Sequence, residues 1–191
     1  MTTPPGRYVL GPQYGRVRVR TFRTGLAKTA GHDLLIEFTR WEGDVVIPAD
    51  NSAGQVTAAI ETASFTALEG TGGVMPLDDD DRREIAKTAL GLLAADRHPT
   101  MRFEAELPPA DGSPGATFTG TLKGTLTVAG AAAPVELTVE ETSPGHVRVT
   151  GTVVQSAHGI KPYSAFLGAL KLRDAVDVEI EVDVPPPERS I

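Results

Sequence analysis

Cysteine is absent from the 191 residues. That excludes a disulfide scaffold, an iron–sulfur site, a thiolate zinc site and a cysteine nucleophile. Aromatic residues make up only 5% of the chain, so the core must be aliphatic. No apolar run approaches the length of a membrane span. The first residues, Met1 to Gly6, show neither a basic start with an apolar stretch behind it nor a cleavage-like site, the pattern expected of a cytoplasmic chain. Basic charge is short as well: 18 Lys and Arg stand against 25 Asp and Glu, a net of −7, which argues against nucleic acid as a partner. The remaining 40% hydrophobic and 23% charged residues describe a globular chain of one-domain length. The reading is a single domain over 1–191, with its core at 7–184 and loose Pro-rich tails at 1–6 and 185–191.

What is present is alternation with period 2, the mark of strands with one buried face. Arg16-Val17-Arg18-Val19-Arg20 alternates strictly, as do Leu34, Ile36 and Phe38 against Leu35, Glu37 and Thr39. Met101, Phe103, Ala105 and Leu107 follow, then Phe118, Gly120, Leu122, Gly124, Leu126 and Val128, then Val135, Leu137 and Val139. The final run sets Val176, Val178, Ile180, Val182 and Val184 against Ala175, Asp177, Glu179, Glu181 and Asp183. Turn chemistry separates these runs, for example Ser143-Pro144-Gly145. Many antiparallel, one-sided strands mean a sandwich or a barrel. One helix is expected behind Asp78–Asp81, with a capping box at Asp81 and Glu84 and Ile85, Ala89, Leu92 and Leu93 on one face; Pro99 must end it near Arg97-His98.

Charge is segregated. Residues 1–40 carry Arg7, Arg16, Arg18, Arg20, Arg23, Lys28 and Arg40 against Asp33 and Glu37, whereas 174–191 is acidic. In a closed barrel, the Arg16–Arg20 strand is expected to pair antiparallel with the Asp177–Glu181 strand, placing rows of opposite charge side by side.

Motifs for chemistry are weak. The Asp78–Asp81 run fits a helix start better than a metal site, since adjacent carboxylates cannot converge on one ion; no metal is expected. Gly70-Thr71-Gly72-Gly73 lacks the Lys-Ser/Thr of a phosphate loop. His32, Asp33, His158 and Ser164 hold the atoms of a hydrolase triad, but no nucleophile-elbow motif is present, so no catalytic residue is assigned and structural roles are favoured. The inward glycines Gly120, Gly124 and Gly151 mark either sharp coiling or room for a ligand.

In their order and spacing these segments resemble the YceI-like family, the polyisoprenoid-binding domains, over residues 7–184. Tyr8-Val9-Leu10 is similar to the family's opening strand, and Phe38-Thr39-Arg40-Trp41-Glu42-Gly43 to its aromatic–x–x–aromatic–x–Gly stretch. Arg97-His98-Pro99-Thr100-Met101-Arg102-Phe103 resembles its Tyr-Pro-x-Ile-x-Phe element, and Gly124-Thr125-Leu126-Thr127-Val128-Ala129-Gly130 with Pro134-Val135-Glu136-Leu137 its Gly-x-Leu-Thr-x-x-Gly…Pro-Val-x-Leu segment. The resemblance implies a mainly β fold: an antiparallel lipocalin-like β-barrel of about eight strands with one helix capping a barrel end. It also implies an apolar isoprenoid or other amphipathic lipid as ligand, with no other cofactor. The residues expected to meet that ligand are Leu34, Ile36, Phe38, Leu93, Met101, Phe103, Phe118, Leu122, Leu126 and Phe166. Two alternatives stand beside this carrier: an enzyme acting on a small apolar substrate through His32, Asp33 or His158 at the mouth, and a structural barrel filled by its own side chains. The apolar patch Phe166, Leu167 and Leu170 suits ligand entry or a homodimer contact.

Overall fold

The computed structural model describes residues 4–50, 52–109 and 119–188. In chain order the strands are β1 (Gly6–Leu10), β2 (Gly15–Thr21), β3 (Arg23–Thr24), β4 (Asp33–Phe38), β5 (Trp41–Ile47), β6 (Gly54–Glu61), β7 (Phe65–Thr71), β8 (Thr100–Leu107), β9 (Thr119–Val128), β10 (Ala131–Ser143), β11 (His146–Val154), β12 (Ser164–Ala165), β13 (Leu170–Leu172) and β14 (Ala175–Asp183), with helix α1 (Asp79–Leu92) between β7 and β8. Eleven of the strands form one antiparallel sheet in the order β1-β5-β6-β8-β9-β10-β11-β14-β2-β4-β7; β12, β13 and β3 form a small second sheet.

Three long strands are each broken by a bend. Only Thr39 and Arg40 separate β4 from β5, and a single 3₁₀ turn, Thr62–Ser64, separates β6 from β7. The two bends coincide: the Thr39 amide donates to the Ser64 carbonyl at 3.3 Å and the Glu61 amide to the Arg40 carbonyl at 3.0 Å. Thus β4–β5 and β6–β7 are one hairpin folded over a corner, and β1 and β2 follow the same path along β5 and β4. The circuit closes because β2 pairs with β4 and β14, while β5, the continuation of β4, pairs with β6. This is a strongly curled antiparallel sheet of lipocalin-like barrel form. The expected number of about eight strands is met only when each bent strand counts once; as hydrogen-bonded segments there are eleven.

The corner rests on two buried hydroxyls. Thr62 is only 1% exposed; its Oγ1 donates to the His98 carbonyl at 2.9 Å, and its amide donates to the Pro99 carbonyl at 2.9 Å. Ser64 Oγ donates to the Glu61 carbonyl at 2.7 Å. Phe38 and Phe65 meet edge-to-face across the bend, with ring centroids 6.0 Å apart. Thr62→Val keeps the shape and removes the hydroxyl, leaving the His98 carbonyl short of a donor. A loss of about 1–2 kcal/mol is expected in urea unfolding; an unchanged midpoint would remove the hydroxyl from this account of the corner.

The charged rows meet as expected. Arg20 lies opposite Asp177, Arg18 opposite Glu179 and Arg16 opposite Glu181. The closest ion pairs run to the outer neighbours instead: Arg18 Nε is 3.0 Å from Glu37 on β4, and Arg148 on β11 reaches Glu181 at 2.9 Å. Hydrogen bonding to the Arg148 guanidinium holds the Glu181 carboxyl below its ordinary value. Ion pairs that keep contact with solvent, as these do, contribute little; burial of Val17, Ile36, Phe38, Met101, Val128 and Ile160, in one continuous cluster, closes the barrel. Like-for-like slippage by one residue would turn both charged rows inward.

Two expectations for the helix are corrected. Its N-cap is Asp78, whose side chain accepts from the Asp81 amide at 2.8 Å while the Asp78 amide donates back to the Asp81 carboxylate at 3.2 Å. In a run of four aspartates the spacing of a capping box occurs at more than one start, and the earlier one is used. The helix also stops at Leu92, before Arg97-His98. Ala94 adopts a left-handed conformation (φ 49°), the Ala95 amide donates to the Leu90 carbonyl and the Ala94 amide to that of Gly91, the bonds of a Schellman motif with alanine where glycine is usual. At the C-terminus Glu188 bridges Arg7 through its amide at 2.7 Å, so the segment after 184 is not loose throughout.

Candidate functional site

Inner faces that alternate with period 2 leave a lumen, and here it is not filled. A cavity of about 940 Å³ runs through the barrel. The alternative of a barrel filled by its own side chains does not describe this interior. Leu34, Ile36, Phe38, Met101, Phe103, Leu122 and Leu126 all line this cavity, joined by Leu93 from the turn after α1. Phe118 lies outside the described residues. Phe166 does not line the cavity and is 66% exposed, because the 3₁₀ turn Phe166–Gly168 holds Phe166 and Leu167 in left-handed conformations (φ 50° and 54°) that turn both side chains out.

At Gly124 and Gly151 the strand approaches its neighbours too closely to leave room for a ligand. A Cβ on Gly124 would lie 2.5 Å from the Phe103 ring, and one on Gly151 would lie 2.5 Å from Leu137 Cδ2. The space belongs to neighbouring side chains that lie across the strands. Phe103, Leu122, Val135 and Leu137 form a second core cluster on this half of the wall.

One mouth is covered by α1. Ile85, Ala89, Leu92 and Leu93 line the cavity as expected of its apolar face. None of the helix residues is fully buried, so the helix lies over a lumen rather than against a packed core. Arg82 hydrogen-bonds it to the wall. Residue Leu68 is skipped in the pairing of β7 with β4, and Arg82 donates to the carbonyls of Ala67 and Leu68 at that bulge, at 2.7 and 2.5 Å. Arg82→Met keeps the apolar stem and removes both donors. Amide protection across residues 79–92 is expected to fall about tenfold or more in hydrogen exchange; unchanged protection would mean that the apolar face alone holds the lid.

The polar groups of the lining sort themselves by partner. His158 is 4% exposed and its Nδ1 lies 3.0 Å from the Ala131 carbonyl oxygen, so Nδ1 carries the proton. His32 Nε2 lies 2.7 Å from the Met75 carbonyl oxygen, and the Asp33 carboxylate accepts from the Arg23 amide at 2.7 Å. Each of the three candidate catalytic groups thus has a backbone partner that explains its place. Among the described residues no cluster of His, Cys, Asp or Glu has the geometry of a metal site. Two buried polar lining residues, Thr21 and Glu141, escaped the sequence reading. Thr21, 8% exposed, has no hydrogen-bond partner for its Oγ1 among the described residues, and Glu141 is buried with its carboxylate accepting from the Gly145 amide at 2.9 Å. Both lie on the inward phase of runs already recognised, Val17-Val19-Thr21 and Val135-Leu137-Val139-Glu141, so the signal was there.

A closed circuit of strands, a bent three-strand corner and a lidded aliphatic lumen are joined by one further finding: the family model of the YceI-like domain matches residues 8–184. The chain belongs to the YceI-like family. Solved structures share its fold. BcnA from Burkholderia cenocepacia is 16% identical, with a TM-score of 0.58, over 88% of this chain and 94% of that one. A polyisoprenoid binding domain from Saccharophagus degradans, implicated in plant cell wall breakdown, is 12% identical with a TM-score of 0.56, over 95% and 99%. A mutant of the CJ YceI protein is 14% identical with a TM-score of 0.53, over 81% and 85%. None of the curated proteins matches the chain. Among the described residues of this YceI-like chain, no helix is long and apolar enough to cross a membrane.

Proposed function

We propose that this YceI-like barrel binds and carries an apolar lipid of isoprenoid or similar amphipathic type, held in the lumen under α1. The observation that carries this reading is the cavity itself: about 940 Å³, lined mainly by Val, Leu, Ile, Phe and Met side chains from every long strand of the sheet. The polyisoprenoid binding of a domain with the same fold supports it. Hydrophobic burial supplies the affinity. Each five-carbon unit moved from water into such a lining contributes about 4 kcal/mol, less the cost of ordering the chain. No covalent step is required. Native mass spectrometry of the purified protein, with organic extraction of the same sample, tests the proposal. The expected result is an apolar lipid released at close to one per chain, or uptake of an added polyprenol by the emptied barrel. A barrel that carries no lipid and takes up none would overturn it.

A further inference from the structure

Two loops beside the lidded mouth, residues 22–32 and 159–173, carry Arg23, Lys28, Lys161, Lys171 and Arg173 and no acidic residue, on a chain whose net charge is −7. They are joined into one lip. β3 pairs with β13, the Ala27 amide donates to the Ala169 carbonyl at 2.8 Å, and the Arg173 amide donates to the Phe22 carbonyl at 2.7 Å. Lys28, Lys161, Lys171 and Arg173 are exposed, and none of them forms an ion pair among the described residues. The tips of the lip are apolar: Leu26 and Leu167 are fully exposed and Phe166 is about two-thirds exposed. The left-handed backbone of Phe166 and Leu167 sets them outward, a conformation unfavourable for such residues unless the surroundings or a partner favour it. The lip also borders the lumen, through Arg23, Gly31, Tyr163, Leu170 and Leu172.

A single exposed leucine needs no explanation. Three large apolar tips on loops that also carry exposed Lys28, Lys161 and Lys171, at the entrance of an apolar cavity, form a surface with a definite complement. Apolar side chains that enter the headgroup region, flanked by lysines that meet anionic lipids, give the two terms of interfacial membrane binding. A second copy of this chain fits poorly, because a two-fold contact through the lip would set the exposed Lys28, Lys161 and Lys171 against their own copies. The acid run Asp78–Asp81 on the adjoining segment of the rim is repelled by an anionic surface and confines the contact to the lip.

We infer that the lip formed by residues 22–32 and 159–173 docks this protein on an anionic lipid bilayer, with the barrel mouth facing the membrane. The inference goes beyond the carrier reading, since docking needs no lipid in the lumen. Flotation of the full chain with vesicles of phosphatidylcholine alone, and of phosphatidylcholine mixed with phosphatidylglycerol, tests it. Binding is expected to the mixed vesicles only, with release at high salt. The Lys28→Ala/Lys171→Ala variant removes two surface charges and is expected to lower partitioning about thirtyfold, equivalent to about 2 kcal/mol. Phe166→Ser/Leu167→Ser is expected to weaken it further without changing the circular dichroism. Flotation that ignores lipid charge, an unaltered lysine variant, or no flotation at all overturns the inference. So does a wild-type dimer in size exclusion that the Phe166→Ser/Leu167→Ser variant splits, which would assign the lip to a second copy. Extracted lipid, measured on the same samples, keeps the two readings apart: a variant that loses flotation and retains its lumen lipid fails docking alone.

Discussion

Phe103→Ala is expected to lower the unfolding free energy by about 3–5 kcal/mol. The ring is 8% exposed, packs with Leu122, Val135 and Leu137, and occupies the space that a side chain at position 124 would need. Its removal adds volume to a lumen that is already open, and the surrounding strands cannot close in because each is hydrogen-bonded on both sides. The cost therefore falls in the upper part of the range for large-to-small changes. The urea midpoint should fall with little change in slope. A loss under about 1 kcal/mol would show that the wall relaxes and that the ring is not part of its framework. The companion change Gly124→Ala should cost less on the Phe103→Ala background than on the wild type, because one of its two clashes, with the ring, is then gone. An equal cost on both would place the whole clash on the Glu104 carbonyl, 2.6 Å from the added carbon.

The inward and outward faces of this barrel were legible because its strands are simple. Val17 and Val19 against Arg16, Arg18 and Arg20, or Val178 and Ile180 against Asp177, Glu179 and Glu181, allow one phase only, since the other would bury a row of charges. The same two rows gave the pairing of β2 with β14, a contact between distant parts of the chain. The neighbours that complete it were not legible. Nothing local shows that Glu37 will approach Arg18 or that Arg148 will reach Glu181, because those contacts depend on which strands flank the seam.

Two of the three bends were hidden for a different reason. Neither Thr39-Arg40 nor Thr62–Ser64 contains glycine or proline, the residues that usually mark a break. The corner is stabilised from a distance, by the carbonyls of His98 and Pro99 accepting from Thr62, and so it cannot be read from the strand it bends. At the end of α1, Ala94 takes the left-handed conformation that glycine would have signalled. Phe166 was placed in the binding surface because it is large and apolar; its backbone conformation, which no composition reveals, turns it toward solvent. The cavity is the least legible feature of all. Aliphatic inner faces are compatible with a filled core or an empty one, and only the spacing of the walls decides between them.

That spacing provides the sharpest test of where the ligand lies. Ala58 sits in the β6 run opposite Gly43 on one side and Phe103 on the other, with its methyl group on the lumen. Gly43 has no side chain and leaves room on the β5 side, so Ala58→Trp extends an indole into the cavity beside the Phe103 ring. Burial of that ring leaves stability unchanged or higher. The ligand loses the same space: displacing about four methylene groups at about 0.8 kcal/mol each costs about 3 kcal/mol, a fall of about a hundredfold in affinity. Ala59→Trp, one residue along on the outer face, is the control and should retain wild-type lipid binding. Titration with a fluorescent polyprenol analogue, read beside a thermal melt, separates blockage from unfolding. Equal affinity for the wild type and both variants would move the ligand out of the lumen, and with it the reading of this barrel as a carrier.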